Sequence, residues 1–160
     1  MEKRGEEEKR RKGEEEKGRR GKREKIFINL NYNIMSMECK NLKINTFEDL
    51  GIWKEGMRVC LKTYEVLRDC KDFGLKNQMQ RAAVSIPSNI AEGFERQTNK
   101  EFVQFLFIAK GSCGELRTQF YLAKELKIIE NENFNIIFPK LKQLSAMISN
   151  LIKTRKNNFK

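Results

Sequence analysis

Apolar side chains recur every three or four residues from Thr46 onwards, which is the spacing of one face of an α-helix. Short polar turns divide this pattern into four segments, so the sequence predicts four helices and an all-α fold. The first helix begins near Thr46 and has as its predicted inner face Phe47, Leu50, Trp53, Met57, Cys60, Leu61, Tyr64 and Leu67. The inner face predicted for the second helix is Leu75, Met79, Ala83, Ile86, Ile90 and Phe94. That of the third helix is Phe102, Phe105, Leu106, Ala109, Cys113 and Leu116. That of the fourth helix is Phe134, Ile137, Phe138, Leu141, Leu144, Ile148, Leu151 and Ile152.

The second and third helices form a predicted hairpin with polar side chains along its seam. Thr98 caps the third helix, and Glu101, three residues later, completes a capping box. With equal rise along two antiparallel helices, facing residue numbers sum to about 195. This places Ser85 near Ser112 and predicts a buried ion pair between Arg81 and Glu115. The full predicted polar seam is Arg81, Ser85, Asn89, Glu92, Ser112 and Glu115.

Two prolines fall inside predicted helices. Pro87 cannot donate an amide hydrogen bond, so we expect a kink or local break, with Ser85, Ser88 and Asn89 satisfying the freed backbone groups. A kink with exposed polar groups could also form a ligand notch, but the structural interpretation is favoured. Pro139 predicts that the regular fourth helix begins only near Phe138.

The central motif has a recognisable relative. Its residues are Arg81-Ala82, Ser85-Ile86, Asn89 to Gly93, Arg96, Glu101-Phe102, Phe105-Leu106, Ala109, Gly111-Ser112 and Glu115-Leu116. In these positions the chain resembles the proteins encoded in intervening sequences of 23S ribosomal RNA genes. The resemblance covers roughly Phe47 to Leu151. It implies an antiparallel up-down-up-down four-helix bundle, here residues 45–156, that assembles into a homo-oligomeric ring, with five subunits expected, and binds RNA.

The chain is also similar to the accessory protein of diversity-generating retroelements. That resemblance implies a basic pentameric bundle that works with a reverse transcriptase. Neither family brings a catalytic residue to carry over.

Charge is distributed unevenly along the chain. Residues 2–25 contain only Glu, Lys, Arg and Gly, and we predict that residues 1–34 form a disordered low-complexity tail, with the true start at Met35 or Met37. Beyond residue 25 the chain still holds 21 of its 33 basic and 14 of its 22 acidic side chains, a net charge of +7. This excess favours anionic partners, nucleic acid first.

Two rows of basic residues are candidate RNA or DNA contacts. Lys54, Arg58 and Lys62 recur every four residues on the first helix, and Lys110, Arg117 and Lys124 recur every seven on the third. Either row can also be an ordinary solvated helix face. Lys153, Arg155 and Lys156, at the end of the fourth helix, are less ordered candidates in a basic, frayed terminus.

The start of the third helix is apolar nearly all round, which implies a partner beyond its own bundle. Val103 and Phe107 are the predicted oligomer-interface residues. The small residues Gly111-Ser112-Cys113-Gly114 should let a neighbouring helix approach closely.

Several functional classes are disfavoured. The chain has no histidine and its four cysteines, Cys39, Cys60, Cys70 and Cys113, form no C-x-x-C pair, so we expect no metal, no cofactor and unpaired buried thiols. Glu92 and Glu115 each have an arginine at a matching helical position, which favours ion pairing over acid–base catalysis. No stretch is long and apolar enough to span a membrane, and a cytoplasmic protein is expected. The remaining hypotheses are a non-catalytic nucleic-acid-binding ring, and a protein–protein scaffold or accessory subunit of an enzyme such as a reverse transcriptase.

Overall fold

Four α-helices dominate the structure, a computed structural model that describes residues 44–158. They are α1 (Gly51–Val66), α2 (Phe73–Phe94), α3 (Asn99–Glu125) and α4 (Asn131–Asn158), and a 3-10 turn at Phe47–Asp49 precedes α1. These residues contain no β-strand, so the all-α prediction is confirmed. The predicted tail, residues 1–34, lies outside the described residues, as does Cys39. None of the described helices is long and apolar enough to cross a membrane.

The helices pack in the order in which they occur in the sequence, and α4 returns to contact α1. The Asn99 side-chain amide at the start of α3 donates to the Arg155 carbonyl near the end of α4 (3.2 Å), whereas Tyr121 near the end of α3 packs against Phe134 near the start of α4. These two helices therefore run antiparallel. Contacts from α1 to α2 and from α2 to α3 have the same opposed sense, consistent with the predicted up-down-up-down topology.

The core follows the predicted stripes on three of the four helices. On α2, α3 and α4, every predicted inner residue is at least partly buried. The fully buried large side chains on these helices are Met79, Ile86, Ile90, Leu106, Leu116, Phe120, Ile137, Leu141, Leu144 and Ile148. Burial of such side chains contributes roughly 1.5–3 kcal/mol each to folding.

The inner face of α1 differs from its predicted stripe. Tyr64 is 39% exposed, whereas Gly56 and Thr63 lie in the core. A Cβ atom added to Gly56 would lie 3.4 Å from Ile86 Cγ2 and 3.6 Å from Pro87 Cβ, so α2 packs directly on this glycine. The prediction selected the face with the largest side chains, but the close approach of α2 requires a small residue inside.

Helix α3 begins as predicted. The Glu101 amide donates to the Thr98 hydroxyl oxygen (3.2 Å), and the Thr98 amide donates to the Glu101 carboxylate (3.2 Å). The pKa of Glu101 is lowered, mainly because the Thr98 hydroxyl donates a hydrogen bond to its carboxylate. The capping box therefore favours the ionised carboxylate at the positive end of the helix dipole.

Pro87 does not break α2, which is continuous from Phe73 to Phe94. The proline is buried against α1, and the Asn89 side chain one turn later donates to the Ser85 carbonyl oxygen (2.7 Å). The carbonyl that Pro87 leaves without its helical donor is that of Ala83, whereas Asn89 bonds the Ser85 carbonyl, so the role predicted for Asn89 stays a prediction. The alternative of a local break is wrong, because the helix is continuous.

Helix α4 begins at Asn131, well before the predicted start near Phe138. Pro139 leaves the Asn135 carbonyl without its helical donor. Both residues are exposed, so water can satisfy that carbonyl. Stacking of Phe134 on Phe138 (centroids 4.7 Å apart) holds the first turns together.

We expect Gly93→Ala to destabilise the bundle. The added Cβ would lie 2.5 Å from Phe105 Cβ and 3.0 Å from Phe102 Cδ2, so the two helices must shift apart. Overpacking of this kind lowers the free energy of unfolding by about 1–3 kcal/mol, beyond the gain of about 1 kcal/mol in helix propensity. Urea unfolding measures the change.

Gly111→Ala is the matched control on α3. A Cβ atom there meets nothing within 4 Å, so only the propensity gain applies and stability should rise. Equal shifts of the same sign in the two variants would show that the approach at Gly93 does not limit the packing.

Candidate nucleic-acid interface

The predicted basic row on α1 is largely paired with acidic side chains of the same helix. Arg58 lies 3.1 Å from the Glu55 carboxylate, and Lys62 lies 3.0 Å from the Glu65 carboxylate. Lys54 is half-buried at the start of the row. A phosphate group would have to compete with these carboxylates, so the α1 row offers little net positive charge.

The predicted row on α3 has a different environment. Lys110, Arg117 and Lys124 are half-buried, and none of them pairs with a carboxylate within residues 44–158. Arg117 instead places its guanidinium carbon 5.7 Å from the Phe138 ring centroid, and the Lys124 ammonium lies 4.8 Å from that of Phe134. Their positive charges are therefore held over aromatic rings of α4 rather than neutralised.

Helix α4 adds basic side chains to the same side of α3. The Lys142 ammonium lies 5.4 Å from the Phe138 centroid, and that of Lys156 lies 4.8 Å from the centroid of Phe107 on α3. Lys142 is not among the candidate contacts predicted from the sequence. We call the resulting set of residues along these two helices the α3–α4 cationic seam: Lys110, Arg117, Lys124, Lys142 and Lys156.

The basic end of α4 is not the frayed terminus that we predicted. The helix continues to Asn158. The Arg155 guanidinium lies 5.1 Å from the Phe102 ring centroid, and the Arg155 carbonyl accepts from Asn99. These contacts fasten the last turns of α4 to the first turn of α3, while Lys153 remains exposed.

Acidic side chains are fewer than basic ones beside the seam. At the helical repeat, Glu101 and Glu115 point about 160° away from Arg117 around α3, whereas the exposed Glu125 points about 80° away and lies one turn after Tyr121. Helix α4 carries five basic residues and one acidic residue, Glu132, in its first turn. The local field along the seam is therefore positive, which attracts polyanions.

An aromatic cluster lies beneath the middle of the seam. The Tyr121 ring, 48% exposed, packs against Phe134 (centroids 5.5 Å apart) and edge-on to Phe138 (4.6 Å). The apolar pattern of the fourth helix predicts the two phenylalanines only as core residues. The missed signal is the alternation of basic and aromatic residues one turn apart on both helices, Arg117-Tyr121-Lys124 and Phe134-Phe138-Lys142.

A family model described as 23S rRNA-intervening sequence protein matches residues 48–150, which include most of all four helices. The chain belongs to this family. The resemblance noted in the sequence is therefore confirmed. A search of curated proteins found no match.

The fold of this chain is also similar to a solved structure. That structure is of a protein from Bacteroides thetaiotaomicron described as having unknown function and belonging to the S23 ribosomal protein family. The TM-score is 0.61 at 20% sequence identity, and the match covers 64% of this chain and 98% of that one. At this identity the likeness concerns the fold alone.

In this family member, three residues of the predicted polar seam form a chain of hydrogen bonds between α2 and α3: Ser85, Asn89 and Ser112. The Ser112 hydroxyl donates to the Ile108 carbonyl (3.1 Å), so the Ser85 hydroxyl is the donor in its 2.8 Å bond to Ser112. The Asn89 amide then donates to the Ser85 hydroxyl oxygen (2.9 Å). Because each member has a partner, the chain links the helices without leaving a buried serine unsatisfied.

The predicted buried ion pair between Arg81 and Glu115 is wrong. Both side chains are exposed, and the Glu115 carboxylate accepts from Gln119 of its own helix (3.1 Å). The predicted register is close, because Ser85 does meet Ser112. At the outer end of the seam, however, both charges remain hydrated and avoid the desolvation cost of a buried pair.

Glu92 is the remaining carboxylate of the predicted seam. It is exposed and pairs with Arg96 one turn later, and the Arg96 guanidinium also lies 5.0 Å from the Phe105 ring centroid. The ion pair expected for Glu92 is confirmed.

The cysteines have the environment of packing residues. Burial raises the pKa of the Cys60 thiol to about 11 and that of Cys113 to about 12, so both stay protonated at neutral pH. Cys70 is half-buried. Among residues 44–158, no three His, Cys, Asp or Glu side chains are grouped to hold a metal ion.

The two candidate oligomer-interface residues differ. Val103 lies in the core of its own bundle, so its apolar character requires no second partner. Phe107 is 46% exposed. Gly111 and Gly114 face open space within the subunit, whereas Ser112 is buried against α2. Among the described residues, no helix makes the predicted close approach at the two glycines.

We expect Ser112→Ala to lower the free energy of unfolding by about 1–3 kcal/mol, because the half-buried Ser85 hydroxyl loses the acceptor for its proton. Ser149→Ala is the control, since the Ser149 hydroxyl bonds only to a carbonyl of its own helix and should change stability by less than about 0.5 kcal/mol. Thermal and urea unfolding measure both. The Ser85→Ala/Ser112→Ala double variant should cost less than the sum of the single variants, and strict additivity would contradict the coupling.

Proposed function

We propose that this protein is a non-catalytic nucleic-acid-binding protein that holds the phosphate backbone along its α3–α4 cationic seam. The observation that carries the proposal is the difference between the two basic rows. Within residues 44–158 the seam cations have no carboxylate partner and are concentrated along two helices, whereas Arg58 and Lys62 on α1 are paired with carboxylates. The description of its family names 23S rRNA, which makes RNA the first ligand to test.

Binding through such a surface is electrostatic and has little sequence preference. Lysine and arginine contacts to phosphate position a nucleic acid but do not read its bases. Affinity should therefore fall steeply with salt, because each neutralised phosphate releases counterions. No cleavage is expected, because the chain has no histidine and its buried thiols remain protonated.

The protein acts as a homo-oligomeric ring in this proposal, with five subunits expected from the family resemblance. The support is an exposed apolar face on α3, formed by Phe107, Ile108 and Leu122, beside the open space at Gly111. Large side chains exposed on one helix face mark association surfaces. A ring would repeat the seam in each subunit, so modest contacts would add through multivalency.

The same apolar face favours a second candidate function. A protein scaffold, or an accessory subunit of a nucleic-acid enzyme such as a reverse transcriptase, would use this face to hold another protein. Under that alternative, the seam would have no measurable affinity for nucleic acid at low salt.

We expect the variant Arg117→Gln/Lys124→Gln to weaken RNA binding far more than Arg58→Gln/Lys62→Gln. Both remove two positive charges, so the change in net charge is matched. Only Arg117→Gln/Lys124→Gln removes cations that have no carboxylate partner among the described residues. This variant should reduce the slope of log affinity against log salt concentration by about 1.4 for single-stranded RNA. Fluorescence anisotropy across a salt series measures both quantities, with circular dichroism as the control for folding. An equal loss of RNA affinity in the two variants would show that affinity depends on overall charge and would contradict a role for the seam.

We expect Phe107→Glu to dissociate the oligomer while leaving helix content intact, because a charge at a buried contact cannot stay hydrated. Phe73→Glu is the control, since Phe73 is 70% exposed at the start of α2. Light scattering measures the mass of each variant. A wild-type monomer at micromolar concentration would refute the ring. The Phe107→Glu variant is not used to measure RNA binding, because its new carboxylate would lie beside Lys156.

A further inference from the structure

We propose that the α3–α4 cationic seam binds unpaired nucleotides, with a base stacked on Tyr121 and the neighbouring phosphates held by Arg117, Lys124 and Lys142. This inference rests on the proposed function and narrows its ligand from nucleic acid in general to single-stranded segments.

The first observation is the exposure and support of the Tyr121 ring. Nearly half of this side chain is open to solvent, yet Phe134 and Phe138 brace it from the α4 side. A braced aromatic ring loses little conformational freedom when a ligand stacks on it. Tyr121 therefore has the properties of a stacking platform, with an accessible surface on a fixed support.

The second observation is the position of the cations around that ring. Arg117 lies one turn before Tyr121 on α3, Lys124 lies one turn after it, and Lys142 approaches from α4. All three are held near the aromatic cluster by contacts with the Phe134 or Phe138 ring. A base on Tyr121 would thus have a cation available for the phosphate on either side of it.

This arrangement distinguishes single strands from duplexes. In a duplex both faces of each base are covered by its neighbours, so a tyrosine could reach only the backbone. An unpaired base exposes its faces, and proteins that bind single strands combine a basic groove with aromatic side chains on which bases stack. A surface that used charge alone would not need an exposed tyrosine among its cations.

The chain provides a control tyrosine. Tyr64 on α1 is also exposed, at 39%, but it has no ring contact with another aromatic residue among those described. Its neighbour Lys62 is paired with Glu65. Tyr64→Leu therefore removes an exposed aromatic ring without removing a braced one.

The test uses three fluorescent RNA probes of about 12 nucleotides, within the site sizes of single-strand binders. They are a non-self-complementary single strand, the same strand annealed to its complement, and an abasic strand of equal length and charge. Binding to the full-length chain is measured by anisotropy at one fixed salt concentration. The variants are Tyr121→Leu, Tyr121→Phe and the control Tyr64→Leu.

We expect Tyr121→Leu to weaken single-strand binding by about 5- to 150-fold, the range for losing one stacked base. Its duplex affinity should stay within about 2-fold, which also shows that the variant is folded. Tyr121→Phe and Tyr64→Leu should bind like the wild type. The abasic strand should bind the wild type and Tyr121→Leu equally, because it has no base to stack.

The failures are distinguishable. If Tyr121→Leu does not change single-strand affinity while Arg117→Gln/Lys124→Gln reduces it, the stacking inference is overturned and the proposed function stands. The stacking inference is also overturned if the wild type binds the abasic strand as tightly as the complete strand, a comparison that needs no variant. If no probe binds at low salt, both proposals fail and a protein partner becomes the ligand to seek.

Discussion

The close approach of α2 to α3 determines the arrangement of the other surfaces. Gly93 lets the chain of α2 reach Phe105 with no room for a further methyl group, and two turns earlier Ser85 meets Ser112. Two contacts along one helix pair fix the rotation of α3 about its own axis. With Ser112 directed at α2, Arg117 is directed at α4, and Phe107 faces outwards. The packing glycine and the serine pair thus decide which residues can form a site.

Much of this fold was predictable, because apolar periodicity and caps are local signals. The stripes on α2, α3 and α4 and the Thr98–Glu101 capping box all follow from residues one turn apart. The stripe on α1 was wrong at Tyr64 and missed Gly56, because part of its inner face is set by a neighbour, namely the packing of α2 on Gly56. The apolar pattern of a sequence predicts large side chains on the inner face of a helix, whereas a close contact between two helices requires small ones. The positions of both helices are needed to know which kind of residue lies inside.

In the candidate site, too, the contacts within one helix were predictable and those between helices were not. The ion pairs that neutralise the α1 row join residues three apart, so Glu55–Arg58 and Lys62–Glu65 could have been read from spacing alone. The contacts that hold the α3 row over aromatic rings cross to α4, and no spacing within α3 predicts them. The error at Arg81 has a related cause. The predicted register was close at Ser85, which meets Ser112, but whether a charge is buried depends on how far it lies from the axis of the bundle.

One helix carries both proposed surfaces, and its geometry makes them compatible. At the helical repeat, Ile108 and Leu122 lie about 180° and 140° from Arg117 around α3, and Phe107 lies about 80° from it, so most of the apolar face can be covered while Arg117 stays open. A subunit contact there would bury Phe107 but leave the outer end of Lys156 beside the rim of the interface. Oligomerisation would then concentrate positive charge without neutralising it. The repulsion between copies would fall when a polyanion binds across them, so nucleic-acid binding and assembly should reinforce each other.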